Sequence, residues 1–211
     1  MSTFPKLPTW HAGEKQLQSQ LGVADKMESV GQRVVRDFMP EQHRDFYGQL
    51  PFIVLGSVDP SGDAWATFLE GHPGFLGSPA PTQLDMHARP APEDPAAAGM
   101  AAGAPVGLLG IEMHTRRRNR MNGVLAPLAD GWRVQVDQSF GNCPRYIQLR
   151  DYSFAREPAE AHTGQVEMLS TLDAAARALI AGADAFFVAT YADLEGRRQV
   201  DVSHRGGKPG F

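Results

Sequence analysis

The amino-acid sequence predicts a mainly β protein with flanking helices. Six short strands would form a closed or partly closed antiparallel barrel, and a second copy of the same pattern begins further along. Three observations predict it. Apolar or β-branched runs of five to eight residues recur between turn signals. Gly and Pro number 22 and 16, which suits a chain with many turns between short strands. The stretch Leu50–Phe75 is also repeated, imperfectly, from Ala183 to Phe211.

The elements follow in order. Residues 1–12 read as an irregular arm. From Gly13 to Met39 the spacing is helical, with Leu17, Leu21, Met27, Val30, Val34 and Phe38 on one stripe and charges between them. Pro40 stops or kinks that segment. Glu41 to Leu50 forms a second short helix with Phe46 and Leu50 on one face. Residues 52–58 (FIVLGSV) and 64–69 (AWATFL) are strands joined by the Asp59-Pro60-Ser61-Gly62 turn, a β-hairpin. Residues 83–87 give a short strand, and 88–104, rich in Ala, Pro and Gly, a loop with one helical turn. Residues 105–112 (PVGLLGIE), 120–127 and 132–138 are three more strands, the last two joined through Ala129-Asp130-Gly131. Residues 138–165 form a polar connection containing Gly141-Asn142-Cys143-Pro144. Ser170 then caps a helix over Thr171–Ala181 that ends at Gly182, before an apolar strand at Ala185–Tyr191.

In the repeat, Phe52, Asp59 and Gly62 align with Phe186, Asp193 and Gly196, and a helix precedes the strand pair in both copies. Arg197 and Arg198 lengthen the second hairpin turn by two residues. Gly71, Pro73, Gly74 and Phe75 then match Gly207, Pro209, Gly210 and Phe211. The resulting division is a helical segment over 1–50, a barrel over 51–150, a connection over 151–169 and an incomplete second repeat over 170–211. One helix and two strands cannot bury a core alone, so the second repeat must pack on the first barrel, on a partner chain or on further chain. Its unpaired strand edges favour a homodimer.

Composition excludes several classes. The net charge of -4 leaves no general basic field for nucleic acid. The single cysteine, Cys143, excludes a disulfide framework and a cysteine-based zinc or iron–sulfur site. The seven histidines (11, 43, 72, 87, 114, 162 and 204) include no i, i+4 pair of the zincin type. No glycine-rich dinucleotide fingerprint follows a strand. No apolar run reaches the roughly 18 residues of a membrane span, and the first residues lack the apolar core of a secretory leader. A cytoplasmic protein is expected.

Two clusters carry chemistry. Thr115 to Gly123 holds four arginines in five positions. Guanidinium forks bind phosphate oxygens bidentately at any working pH. Strand alternation would put Arg116, Arg118, Arg120 and Asn122 on one side. The plain alternative is a solvated hairpin tip. Ser203 to Gly210 offers a hydroxyl, an imidazole, a guanidinium and an ammonium around Gly206 and Gly207. Those glycines let the backbone approach a flat or phosphorylated ligand. An ordinary polar turn is the alternative there.

DVSHRGGKPGF resembles the second-strand motif of the pyridoxamine 5′-phosphate oxidase-like flavoproteins, where a Ser-x-Arg-Gly-type segment runs beside FMN. The run GLLGIEMHTRRRNRMNGVL is similar to that family's later hairpin, whose Arg-x-Arg-(hydrophobic)-Asn-Gly pattern supports the flavin. GNCPRYIQ resembles a signature of a tandem subgroup sometimes fused to a ferredoxin-reductase module. The resemblance spans nearly all of the chain from about residue 10. It implies a six-stranded FMN-binding split barrel, with cofactor contacts from Ser203, His204, Arg205, Arg116, Arg118, Arg120 and Asn122. It places FMN at the junction of two barrels. The first copy departs from the motif, with Phe68 and Leu69 where the second has His204 and Arg205. The implied site is therefore composite, Arg205 of copy two facing the arginine hairpin of copy one. The activity implied is that of a flavin-dependent oxidoreductase, with a small-molecule substrate or a reductase as electron donor. The alternatives are a flavin or haem carrier or sensor, a pyridoxamine phosphate oxidase proper, and an electron-transfer domain of a larger reductase. No residue stands out as a catalytic acid or base.

Overall fold

The computed structural model describes residues 9–158, 160, 164, 167–194 and 196–211. His162 and the first eight residues of the expected arm lie outside them. Over the described residues the chain is mainly β, with four α-helices around a seven-stranded antiparallel sheet and a separate two-stranded hairpin. The strands are β1 (Phe52–Val58), β2 (Ala64–Glu70), β3 (Leu76–Ala80), β4 (Gln83–Met86), β5 (Pro105–Glu112), β6 (Arg117–Pro127) and β7 (Trp132–Gly141). They lie side by side in the order β2-β1-β5-β6-β7-β4-β3. The ladder thus runs from β2 at one edge to β3 at the other. The sequence reading of six strands missed β3, whose LGSPA carries a Gly and a Pro. Proline cannot donate to a ladder, but an edge strand bonded only on one side tolerates it. β6 also begins three residues earlier than expected, at Arg117.

One face of the sheet carries the main core. Phe46, Tyr47 and Leu50, on and just after helix α3 (Glu41–Gly48), are fully buried there against Ile53, Leu55, Leu108 and Met121. Gly110 permits this approach, since a Cβ at that position would lie 2.8–2.9 Å from Leu50, Phe46 and Tyr47. The expected N-terminal helix is two helices, α1 (Ala12–Gln20) and α2 (Ala24–Val34). Gly22 breaks it with φ +66°, a conformation glycine adopts without strain. Leu17 and Leu21 of the predicted apolar stripe are exposed. Trp10 closes the pair by donating to Met27 O at 3.1 Å and covering Gly31. Arg36 and Ser139 exchange backbone hydrogen bonds of 3.0 and 2.7 Å, tying the end of α2 to β7. The loop after β4 makes one turn of 3-10 helix, Pro95–Gly99.

The second copy keeps the local geometry of the first. Helix α4 (Ala174–Gly182) leads into β8 (Ala185–Leu194) and β9 (Arg197–Gly206), an antiparallel hairpin. Its N-cap is Asp173, which accepts from Ala176 N, rather than Ser170 three residues earlier. Gly74 and Gly210 both take positive φ, and Phe75 and Phe211 fold back over Gly71 and Gly207. Arg197 and Arg198 do not lengthen the turn. They pair with Leu194 and Asp193, so the two extra residues extend the ladder.

This hairpin docks on the opposite face of the main sheet. Val202 packs with Val54, Leu109, Ile111 and Ile147, and Val200 and Val202 are 1% and 0% exposed. Two glycines admit it. A Cβ on Gly56 would meet Val202 Cγ2 at 2.5 Å, and one on Gly107 would meet Asp201 Cα at 2.6 Å. No described helix is long and apolar enough to cross a membrane.

Candidate functional site

The site forms where β9 crosses β6. On β6 the side chains of Met121 and Leu125 turn to the main core, so Arg118, Arg120 and Asn122 share the other face. Arg118 stands beside Ile111, Arg120 beside Leu109 and Asn122 beside Gly107 on neighbouring β5. The flatness of Gly107 lets the β9 backbone lie directly on this row. Arg116 does not join it. That residue sits exposed in the β5–β6 turn at φ +55°, outside the strand alternation. Arg117 faces the other way and stacks its guanidinium over the Phe46 ring at 5.0 Å.

His204 is the centre of the arrangement. Its Nδ1 accepts from Arg118 Nη1 at 3.0 Å. Arginine only donates, so the imidazole proton belongs on Nε2. The ring is 5% exposed and leans on Phe187, 5.3 Å between centroids. Burial first, then the cations Arg118, Arg205 and Arg150, lower its pKa to about 4. The imidazole is therefore neutral at physiological pH and can donate from Nε2.

Arg118 also donates from Nη2 to Cys143 O at 2.7 Å, while its Nε is buried with no partner. Burial lowers the Arg118 pKa, and Arg205 adds repulsion. Arg205 is exposed, and among the described residues its hydrogen bond is to the His204 carbonyl, at 3.4 Å. Among the described residues neither Arg118 nor Arg205 forms an ion pair with a carboxylate. Ser203 lies on β9, opposite Val188.

Arg120 is different. It pairs with Asp201, its Nε donating to Oδ1 at 3.1 Å, and stacks over Phe140 at 5.2 Å. Burial and the neighbouring Arg118 and Arg205 bring its pKa down to about 10, still charged at neutral pH. Asn122 points past this pair and donates to Gln138 Oε1 at 3.4 Å.

The GNCPRYIQ segment clamps the end of β9. Ile147 is buried in the second core, Gln148 Nε2 donates to Gly207 O at 2.8 Å, and Arg150, two residues beyond the segment, pairs with Asp184. The Tyr146 carbonyl lies where a Cβ on Gly206 would be only 2.2 Å away. Gly206 therefore serves close contact between backbones at this point, while Gly207 makes room for the Phe211 side chain. Phe68 of the first copy, matched to His204 by sequence, packs instead on Phe52 and Phe187.

Sequence reasoning missed Asp201, Phe140 and the Cys143 carbonyl. Asp201 had a signal, since strand alternation puts it on one side of β9 with Ser203 and Arg205. The carbonyl had none, because only the path of the loop places it.

Two guanidinium groups without carboxylate partners, beside a neutral imidazole donor, suit a multiply charged oxyanion such as a phosphate ester. No protein-family model matches the chain, and no curated protein matches it in sequence.

Proposed function

We propose that this chain is an FMN-binding flavoprotein related to pyridoxamine 5′-phosphate oxidase, with flavin-dependent oxidoreductase activity. On this reading the seven-stranded sheet is the first split barrel and the β8–β9 hairpin opens the second. The observation that carries it is that Arg118 of the first copy bonds His204 of the second, next in sequence to Arg205, and that among the described residues neither arginine forms an ion pair with a carboxylate. Burying a guanidinium costs free energy unless an anion accompanies it, and Arg118 Nε still lacks an acceptor. The phosphate of FMN supplies acceptors of the right charge and number. Bound FMN would supply two-electron redox chemistry at its ring. The chain would supply affinity through the arginines and a donor from His204 Nε2.

The low pKa of His204 bears on a second reading. Within the cluster it is the one group that titrates near neutrality in free solution, and it is held far below that range. A site without a proton donor and acceptor poised near pH 7 favours a flavin carrier or electron-transfer domain over an enzyme that performs general acid–base catalysis.

The test compares FMN with riboflavin, which has the same ring and no phosphate, by quenching of flavin fluorescence. The reading expects FMN to bind about tenfold tighter or more, the value of one or two charge-assisted hydrogen bonds. In Arg118→Ala and Arg205→Ala that preference falls away. Equal binding of FMN and riboflavin to the native chain would remove the arginines from the argument.

A further inference from the structure

The ladders of the two hairpins lay one copy on the other. Phe68, matched to His204, pairs with Val54, and His204 pairs with Phe187. Val54 and Phe187 both face the second core. This sets Leu55 on Val188 and Gly56 on Ala189, one residue away from the sequence match of Phe52 with Phe186. The helices follow the same step, with Leu50 N donating to Tyr47 O and Ala183 N to Ile180 O. Phe46, Tyr47, Ile53 and Phe75 of the main core are 0%, 0%, 0% and 8% exposed. Their counterparts Leu179, Ile180, Phe186 and Phe211 are 76%, 59%, 48% and 55% exposed. The second copy thus holds in the open what the first copy buries. Helix α4 has nine residues and buries none, although a helix and a hairpin of this size are marginal alone.

The strand edge beside this face is bare as well. β1 has a neighbour on each side, β2 and β5, the second through Val54–Leu109, Leu55–Leu108 and Gly56–Gly107. Among the described residues β8 has only β9. Edge strands are commonly guarded by charge, proline or a covering segment. β3 carries Pro79, and Arg44 donates to Ser78 Oγ and O at 3.0 and 2.8 Å. β2 ends in Glu70, which pairs with Arg156. From Ala185 to Ala192, β8 has no charge, proline or glycine. We propose that β8 pairs with β8 of a second copy of this chain, antiparallel about a twofold axis at Val188, in one sheet ordered β9-β8-β8′-β9′. The antiparallel relation is the one β5 has to β1, and Val188 stands where Leu55 does, in the middle of that ladder. Phe187 and Ala189 face the second core, so Phe186, Val188 and Thr190 share the open side. An axis at Val188 keeps that side common to both copies, with Phe186 beside the partner's Thr190. Leu179, Ile180, Phe186, Val188 and Phe211 of the two copies then close into one core. The contact is isologous and stops at two chains. The expected homodimer thereby gains a particular edge, register and axis. The inference does not rest on flavin binding, since Arg118 and His204 take no part in it.

The experiment combines sedimentation of the native chain with cysteine cross-linking. The native chain sediments as a dimer at about 10–100 μM. In a Cys143→Ser background, Val188→Cys oxidises to a covalent dimer. Facing residues of an antiparallel pair bring their Cα atoms to about 4.5–5.5 Å, within disulfide reach. Thr190→Cys in the same background stays unlinked, because the axis holds it about 14 Å from the partner's Thr190. The serine keeps the backbone carbonyl of residue 143 that accepts from Arg118. Val188→Lys sets two like charges on the axis and weakens the dimer about 100-fold or more, while far-UV circular dichroism and the exchange protection of β6 and β7 stay as in the native chain. A monomer at all concentrations overturns the proposal, as does a dimer in which Val188→Cys fails to link. Linking of Thr190→Cys as readily as Val188→Cys overturns it too, since the edge then has no fixed register. A dimer that survives Val188→Lys lies elsewhere on the surface, and species that grow past two chains deny the twofold; either result overturns it.

Discussion

Gly107→Ala tests how the composite site is assembled. The added Cβ would stand 2.6 Å from Asp201 Cα, 2.8 Å from its carbonyl carbon and 2.9 Å from its nitrogen. These are backbone atoms, so no rotamer change relieves the contact. Ordinary van der Waals contact needs 3.4 Å or more, and β9 must lift by roughly 0.8 Å. Overpacking of this kind costs about 1–3 kcal/mol. The stiffer unfolded chain returns about 0.4–1 kcal/mol. The docked hairpin has little to spare: burial of Val200 and Val202 contributes at most about 3–6 kcal/mol. The midpoints of these two terms leave a net loss of about 1.3 kcal/mol, which opens the hairpin about tenfold more often. Hydrogen exchange resolves this by segment. Amides of Arg197–Gly206 should exchange faster by that factor, while those of β6 and β7 keep their protection. Unchanged exchange in β8 and β9, together with an unchanged melting temperature, would refute the argument that Gly107 admits the hairpin.

The His204 pKa is lower folded than unfolded, so the unfolded chain takes up the proton first as pH falls. Stability is therefore level above about pH 7 and lost between pH 6.5 and about 4, by about 2–4 kcal/mol. Urea titrations across that range should show the slope, and His204→Gln should flatten it, leaving the part that His43, shifted in the same direction, contributes. Asp201→Asn strands the largely buried Arg120 cation; with Asp201 about a third exposed, the loss should be about 1–2 kcal/mol in chemical denaturation. The double variant Arg120→Met with Asp201→Asn recovers most of it, and additive losses would deny the coupling. The homodimer expected for the second copy would use its exposed apolar surface, where Phe186 stacks on Phe211 at 5.6 Å and Leu179 and Ile180 of α4 stand uncovered. Sedimentation should give twice the mass of the chain, reverting to one in Phe186→Glu; a monomer at all concentrations removes the dimer.

Much of the β architecture was legible because continuous apolar runs with sharp turns leave few options. The bounds of β1 and β5 match the reading of FIVLGSV and PVGLLGIE residue for residue. β3 was not legible, because its Gly and Pro read as turn while its edge position forgives both. The helix over 13–39 looked continuous because apolar spacing survives Gly22, and periodicity does not register a single left-handed residue. The candidate site was half legible. Alternation along β6 put Arg118, Arg120 and Asn122 on one face but also admitted Arg116, which the turn at φ +55° removes. Nothing local in the sequence could pair Arg118 with His204 or Arg120 with Asp201, 86 and 81 residues apart. That required the hairpin to dock, and the Gly56 and Gly107 that admit it look like ordinary strand glycines.

The most direct test of the flavoprotein reading is the visible absorption spectrum of the purified protein, before and after addition of FMN and removal of excess by dialysis. The account predicts a retained yellow chromophore at about one FMN per site, with a shifted and structured flavin band. A colourless protein that retains no FMN after exposure to about 100 μM cofactor would contradict it.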